Sequence, residues 1–158
     1  MLLEEGQIVN SIYEVEFPLG EGAFAEVYRV KHRFLGHQAM KVFKIPEISL
    51  QEIEEMLSEA VLLSKINHPN IIRVFEAGIM ETRLGKCGFF TMEYVPGGTL
   101  ETYRCSNRFS FIPLPQVKEI VKQICQGMAR AHEEQPPIIP RDLKPQNILI
   151  GYEDSGMR

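Results

Sequence analysis

Three polar residues close together near the C-terminal end carry the most chemistry. In Ile139-Pro140-Arg141-Asp142-Leu143-Lys144-Pro145-Gln146-Asn147-Ile148-Leu149, Asp142 and Asn147 bracket a tight turn between two apolar runs. A carboxylate and a carboxamide held in such a turn can orient a hydroxyl and ligate a divalent metal, and Lys144 adds a cation beside them. A second feature lies near the start, in Leu19-Gly20-Glu21-Gly22-Ala23-Phe24-Ala25-Glu26-Val27. Two glycines between strands let the backbone approach a phosphate and donate N–H groups to it, although a plain hairpin turn would read the same way. Lys41 interrupts the apolar run Ala39-Met40-Lys41-Val42-Phe43. It is either a lysine snorkelling from an edge or a fixed charge aimed at phosphates, which would need a carboxylate to hold it. Glu59 is the candidate for that carboxylate, with an exposed helix acid as its plainer reading.

The elements that would position these residues fall into two parts. Residues 12–19, 25–32, 38–45, 71–77 and 87–95 read as strands, with Val27, Arg29 and Lys31 alternating against Tyr28, Val30 and His32. Ser49 with Glu52 three residues on forms a capping box, and Ile53, Met56, Leu57, Ala60, Val61 and Ser64 follow at helical spacing until Asn67-His68-Pro69-Asn70. Pro96-Gly97-Gly98 is the expected boundary between a first part, 1–95, and a second, 96–158. In the second, Pro115 opens a helix whose stripe Val117, Ile120, Val121, Ile124, Met128 and Ala131 runs to Pro136-Pro137. The tail from Gly151 to Arg158 reads as a polar loop.

Composition narrows the classes. The 158 residues are 44% hydrophobic and 24% charged, ordinary for a globular protein. Seventeen Lys+Arg against 21 Asp+Glu leave a net charge of −4, with no basic face for nucleic acid. No apolar run approaches the roughly 18–20 residues of a membrane span. The acidic start, Met-Leu-Leu-Glu-Glu-Gly, lacks the bases of a secretion signal. Cys87, Cys105 and Cys125 make neither a disulfide frame nor a zinc site, so a reducing cytoplasm is the expected address.

Taken in order, the Gly-rich loop, strand lysine, helix glutamate and R-D-L-K-P-x-N turn resemble eukaryotic-type protein kinases, and Lys144 points to the serine/threonine branch. The resemblance runs from about Ile12 to Ile150. It implies an α+β fold: a five-stranded antiparallel small lobe with one helix, followed by the helical start of a large lobe. It implies ATP and Mg2+ as cofactors and a protein hydroxyl as acceptor. Leu19, Gly20, Gly22 and Val27 would cover the nucleotide, and Ala39 would line the adenine pocket. Lys41 would hold the α- and β-phosphates, paired to Glu59. Met92 resembles the residue at the back of the pocket, and Glu93 to Val95 resemble the hinge that bonds adenine. Leu149 completes the nucleotide set. Asp142 would take the substrate proton, Lys144 would stabilise the γ-phosphate and Asn147 would hold magnesium. Arg141 suggests control by phosphorylation.

Three positions depart from the family pattern. Ala25 replaces the third glycine, Pro140 replaces the usual histidine, and residues 148–158 contain no D-F-G. The expectation is therefore a kinase piece inactive by itself, with the 115–133 helix stripe open to self-association. The alternative is a non-catalytic nucleotide-binding or protein-interaction module. No membrane contact is expected within the segment.

Overall fold

The computed structural model describes residues 1–44, 51, 57–58, 61–106, 111–140, 142–153 and 156–157. They form two compact units: Met1–Lys65 with Ile72–Tyr94, and Ile66–Ile71 with Val95–Arg158.

The first unit is built on β1 (Ile8–Val9), β2 (Tyr13–Glu21), β3 (Ala25–His32), β4 (Gly36–Phe43), β5 (Val74–Thr82) and β6 (Gly85–Glu93). All neighbouring pairs are antiparallel, in the order β1-β2-β3-β4-β6-β5. The expected five strands are thus joined by a sixth at the edge. Two residues are too few for an alternating pattern to register in sequence. What makes the hairpin is Asn10 and Ser11, both at positive φ (49° and 59°), with the Ile12 N–H closing the turn onto the Val9 carbonyl at 3.1 Å. The β5–β6 strands are shifted toward their turn against the expected 71–77 and 87–95: β5 begins only at Val74 and β6 ends at Glu93, while both reach further into the hairpin. Thr82 pairs with Gly85 across Arg83-Leu84, and the Thr82 hydroxyl accepts the Leu84 N–H.

Alternation gives the sheet two faces. One carries Tyr13, Val15, Tyr28, Val30, Met40, Val42, Cys87 and Phe89, all buried in the main core. Leu2 and Leu3 are buried in that same core, so residues 1–7 form a strap across the sheet. The strap is bonded by the Gly6 N–H to the Val15 carbonyl and by the Val15 N–H to the Gln7 carbonyl. On the opposite face Ala25, Phe43, Val74 and Phe90 pack with Leu57. Leu57 belongs to α1, described as helical at residues 57–58 and 61–64. The Ser49–Glu52 capping box lies outside the described residues.

The second unit contains β7 (Gly98–Thr99), α2 (Leu100–Ser106), α3 (Leu114–His132), a 3-10 turn at Pro145–Asn147, β8 (Leu149–Ile150), β9 (Tyr152–Glu153) and β10 (Gly156–Met157). Helix α3 starts with Pro115 in its first turn and stops short of Pro136, as its sequence dictates. Its stripe is partly covered. Ile120, Gly127 and Ala131 are buried, whereas Val121 is exposed. The cover comes from the 66–71 segment: a Cβ at Gly127 would lie 3.1 Å from the Asn70 carbonyl oxygen, and the Asn70 amide donates to Gln123 Oε1 at 3.1 Å. The tail, read as a loop, pairs as β9 and β10. Among the described residues no helix is long and apolar enough to cross a membrane.

Candidate functional site

In the first unit the register lines up one group of expected residues on a single sheet face. Gly20 opposes Val27, Val27 opposes Lys41, Lys41 opposes Phe90, and Ala39 opposes Met92. Ala39 and Phe90 are buried, and Val27, Lys41 and Met92 are half-buried. The Lys41 ammonium stands over two rings, 5.5 Å from the Phe43 centroid and 5.6 Å from that of Phe90. Among the described residues it has no carboxylate partner, and Glu59 lies outside them. Leu19 falls at a register shift in β2 and is exposed. Glu93 ends β6, its N–H bonded to the Arg73 carbonyl at 2.8 Å.

The glycine loop closes as a hairpin. Glu21 opposes Glu26, the Gly22 N–H donates to the Ala25 carbonyl at 2.8 Å, and the Lys44 N–H donates to the Phe24 carbonyl at 2.9 Å. The Lys44 side chain bonds Glu21 and approaches Glu26 at 3.7 Å, so one ammonium separates two facing carboxylates. Glu26 is only 4% exposed. Burial by itself would raise its pKa. The Tyr28 hydroxyl, the Leu2 N–H (2.7 Å) and the nearby cations outweigh that and hold it below the usual carboxylate range. The same burial, with Glu26 alongside, pushes the Tyr28 hydroxyl up to about 12. The sequence reading gave neither Lys44 nor Glu26 a functional role. Lys44 lay unremarked inside the expected strand 38–45, and Glu26 was one residue of the glycine-loop string with no role of its own.

The second unit assembles the polar turn. The Lys144 ammonium lies 2.7 Å from Asp142 Oδ2. The Asn147 amide donates to that same oxygen and to the Asp142 carbonyl, both at 2.9 Å. Its carboxamide oxygen is left as an acceptor. The turn is held from behind: β8 pairs with β7, and the Leu100 N–H donates to the Ile148 carbonyl at 2.8 Å. Leu149 lies in β8, opposite Thr99. Arg141 lies outside the described residues, and Val95 belongs to the second unit.

Bonding to Lys144, then to Asn147, holds the Asp142 carboxyl below its ordinary range despite slight desolvation. A depressed folded-state value means that the ionised carboxylate supports the turn above the ordinary range and releases it as pH falls through the lowered value. A carbon-13 titration of the Asp142 carboxyl is expected to show a midpoint below ~3.9, the free-aspartate value. Lys144→Ala should move it back up. A wild-type midpoint at or above that reference would break this account of the turn.

The comparison with known families decides the matter: the protein kinase domain family matches residues 13–157. This chain belongs to the protein kinase family. Among curated relatives, this chain is 35% identical over 153 residues to the serine/threonine-protein kinase ATG1a of Arabidopsis thaliana, covering 96% of this chain and 23% of that protein. It is 31% identical over 155 residues to the probable serine/threonine-protein kinase PknB of Lactococcus lactis, covering 94% and 23%. Among solved structures, the PknI kinase domain of Mycobacterium tuberculosis superposes with a TM-score of 0.75 at 26% identity, covering 99% of this chain and 60% of that one. The chain thus has serine/threonine kinases as relatives and spans under a quarter of the length of those curated proteins. Its antiparallel small-lobe sheet and few helices are the protein-kinase-like fold.

Proposed function

We propose that this chain carries the nucleotide-binding and catalytic-loop portion of a serine/threonine protein kinase, which moves the γ-phosphoryl of ATP onto a protein hydroxyl. Residues 1–95 would be the ATP-binding lobe and hinge, and 96–158 the start of the large lobe. The observation that carries the reading is the Asp142–Lys144–Asn147 turn, in which a carboxylate is fixed by a cation and a carboxamide. Asp142 would accept the proton of the attacking hydroxyl, and Lys144 would stand by the transferring phosphoryl.

The glycine hairpin adds support. A Cβ at Gly20 would meet nothing within 4 Å, and one at Gly22 would make only an ordinary contact. Neither residue has a positive φ. The fold itself does not demand glycine there, whereas close backbone approach to phosphate would. Lys41, on the same face as Val27, Ala39 and Met92, would neutralise the α- and β-phosphates, and Glu59 would hold it. Leu19 and Leu149 would complete the nucleotide surface, with Glu93 to Val95 presenting backbone to adenine.

The Asn147 carboxamide oxygen is a hard donor that suits magnesium, an ion that takes few protein ligands when phosphates supply the rest. Magnesium, when bound, supplies charge neutralisation at the phosphates. Asn147 would hold it. The proposed address is the cytoplasm, and the half-covered face of α3 is the proposed surface for self-association.

The absence of D-F-G from residues 148–158 favours a second reading for the chain by itself: nucleotide binding without transfer. Both are tested on the purified 158-residue chain. MgADP is expected to raise its melting temperature slightly, through a stabilisation of RT ln(1 + [L]/Kd), and magnesium alone to leave it unchanged. No label should pass from ATP to a protein acceptor. Absence of any MgADP binding by titration calorimetry would end the nucleotide reading, and measurable transfer would end the expected inactivity.

A further inference from the structure

Arg29 lies two residues beyond Val27 on β3, yet it takes no part in the roles above. Its guanidinium carbon is 5.2 Å from the Phe17 ring centroid and 4.9 Å from that of Tyr94. Its Nε is 2.8 Å from Glu16 Oε2, and the other Glu16 oxygen is 3.2 Å from His37 Nε2. The Arg29 and Glu16 side chains are about a quarter exposed, at 24% and 25%. Glu16 falls at the register shift between Val15 and Phe17, an irregularity of the kind that re-aims side chains beside a site. Tyr94 is the first residue beyond β6, where the backbone leaves the sheet. One anchored, flat cation therefore ties together the irregular stretch of β2, the middle of β3 and the exit from β6.

We infer that Arg29 is a positioning residue for the adenine end of the nucleotide site. It fixes the Tyr94 ring, and through it the backbone of residues 93–95 that would bond the base. The inference rests on the nucleotide reading above. A guanidinium suits the task because its broad, delocalised charge can sit over two rings while it stays paired with a carboxylate, which a compact ammonium does less well.

The test compares three ligands on the 158-residue chain: MgADP, adenosine and magnesium with inorganic triphosphate. Arg29→Met keeps the length of the side chain and loses charge and plane. It is expected to weaken MgADP and adenosine about five- to tenfold, the size of one or two cation–π contacts, and to leave triphosphate unchanged. Arg29→Lys keeps the charge and the Glu16 pair, and is expected to lose about two- to threefold, which keeps the test alive should Arg29→Met fold poorly. Because Arg29 acts through Tyr94, the double variant Arg29→Met/Tyr94→Leu should bind adenosine no more weakly than the weaker single variant. Unchanged adenosine affinity, an equal loss for triphosphate, or additive losses would each overturn the inference. A wild-type chain that binds neither MgADP nor adenosine would defeat the nucleotide reading instead, a result visible before any variant is made.

Discussion

Lys41→Ala is expected to abolish phosphoryl transfer in any longer form of this protein that carries D-F-G. The loss should be at least about 10²–10³-fold, as when one preorganised charge is removed from a site of developing charge. In the 158-residue chain it should erase the rise in melting temperature caused by MgADP. The fold should survive, because the half-buried lysine contributes to the sheet mainly through two ring contacts beyond 5 Å. Alanine is already tolerated on the same face at Ala39. Transfer near the wild-type rate, with the variant folded, would remove Lys41 from the site. A variant that fails to bind nucleotide yet melts like wild type would separate the charge from the scaffold.

Gly97→Ala is the second large effect, and it is structural. A Cβ at Gly97 would overlap the Ile150 carbonyl oxygen and lie 2.9 Å from its carbon. Both are backbone atoms, so no side chain can rotate away. Ile150 pairs with Gly98 in the β7–β8 ladder, and the Leu100 N–H bonds the carbonyl of Ile148, immediately before β8. Relieving the overlap means parting that ladder, which releases the back of the Asp142–Lys144–Asn147 turn. The expected cost is about 1–3 kcal/mol in urea unfolding, typical of overpacking against unyielding neighbours. Hydrogen exchange at the Leu100 amide should speed up together with it. Unchanged Leu100 protection would mean that the turn does not depend on this ladder.

How much of this was legible in the sequence differs by element. The long strands and α3 announce themselves, because eight or nine residues of alternation and a nineteen-residue helix repeat their pattern several times. The Asp142–Asn147 turn was readable from residue types at fixed spacing. β1, β9 and β10 were not, since two residues carry no period. The cover on α3 was missed for a different reason. It depends on Gly127 meeting the Asn70 backbone, a contact between residues far apart in sequence. Lys44 and Arg29 escaped because their partners arrive through register: Glu21 and Glu26 face each other only once β2 and β3 pair, and Tyr94 reaches Arg29 only once β6 joins the sheet.

The strap of residues 1–7 also governs when the first unit can exist during synthesis. Leu2 and Leu3 share one core with Met80, Cys87 and Phe89. Leu2 and Leu3 must therefore wait for some of the last strand residues of that unit. At about 5–20 residues per second, the interval between residues 3 and 89 is roughly 4–17 s on the ribosome. From the completion of β4 at Phe43 to the end of that interval, the β2–β3–β4 face bearing Tyr28, Val30 and Met40 has neither its sheet partner β6 nor a finished core beneath the strap. A nascent chain of this protein thus carries an open apolar sheet face for seconds, and that is the interval in which a chaperone has something to hold.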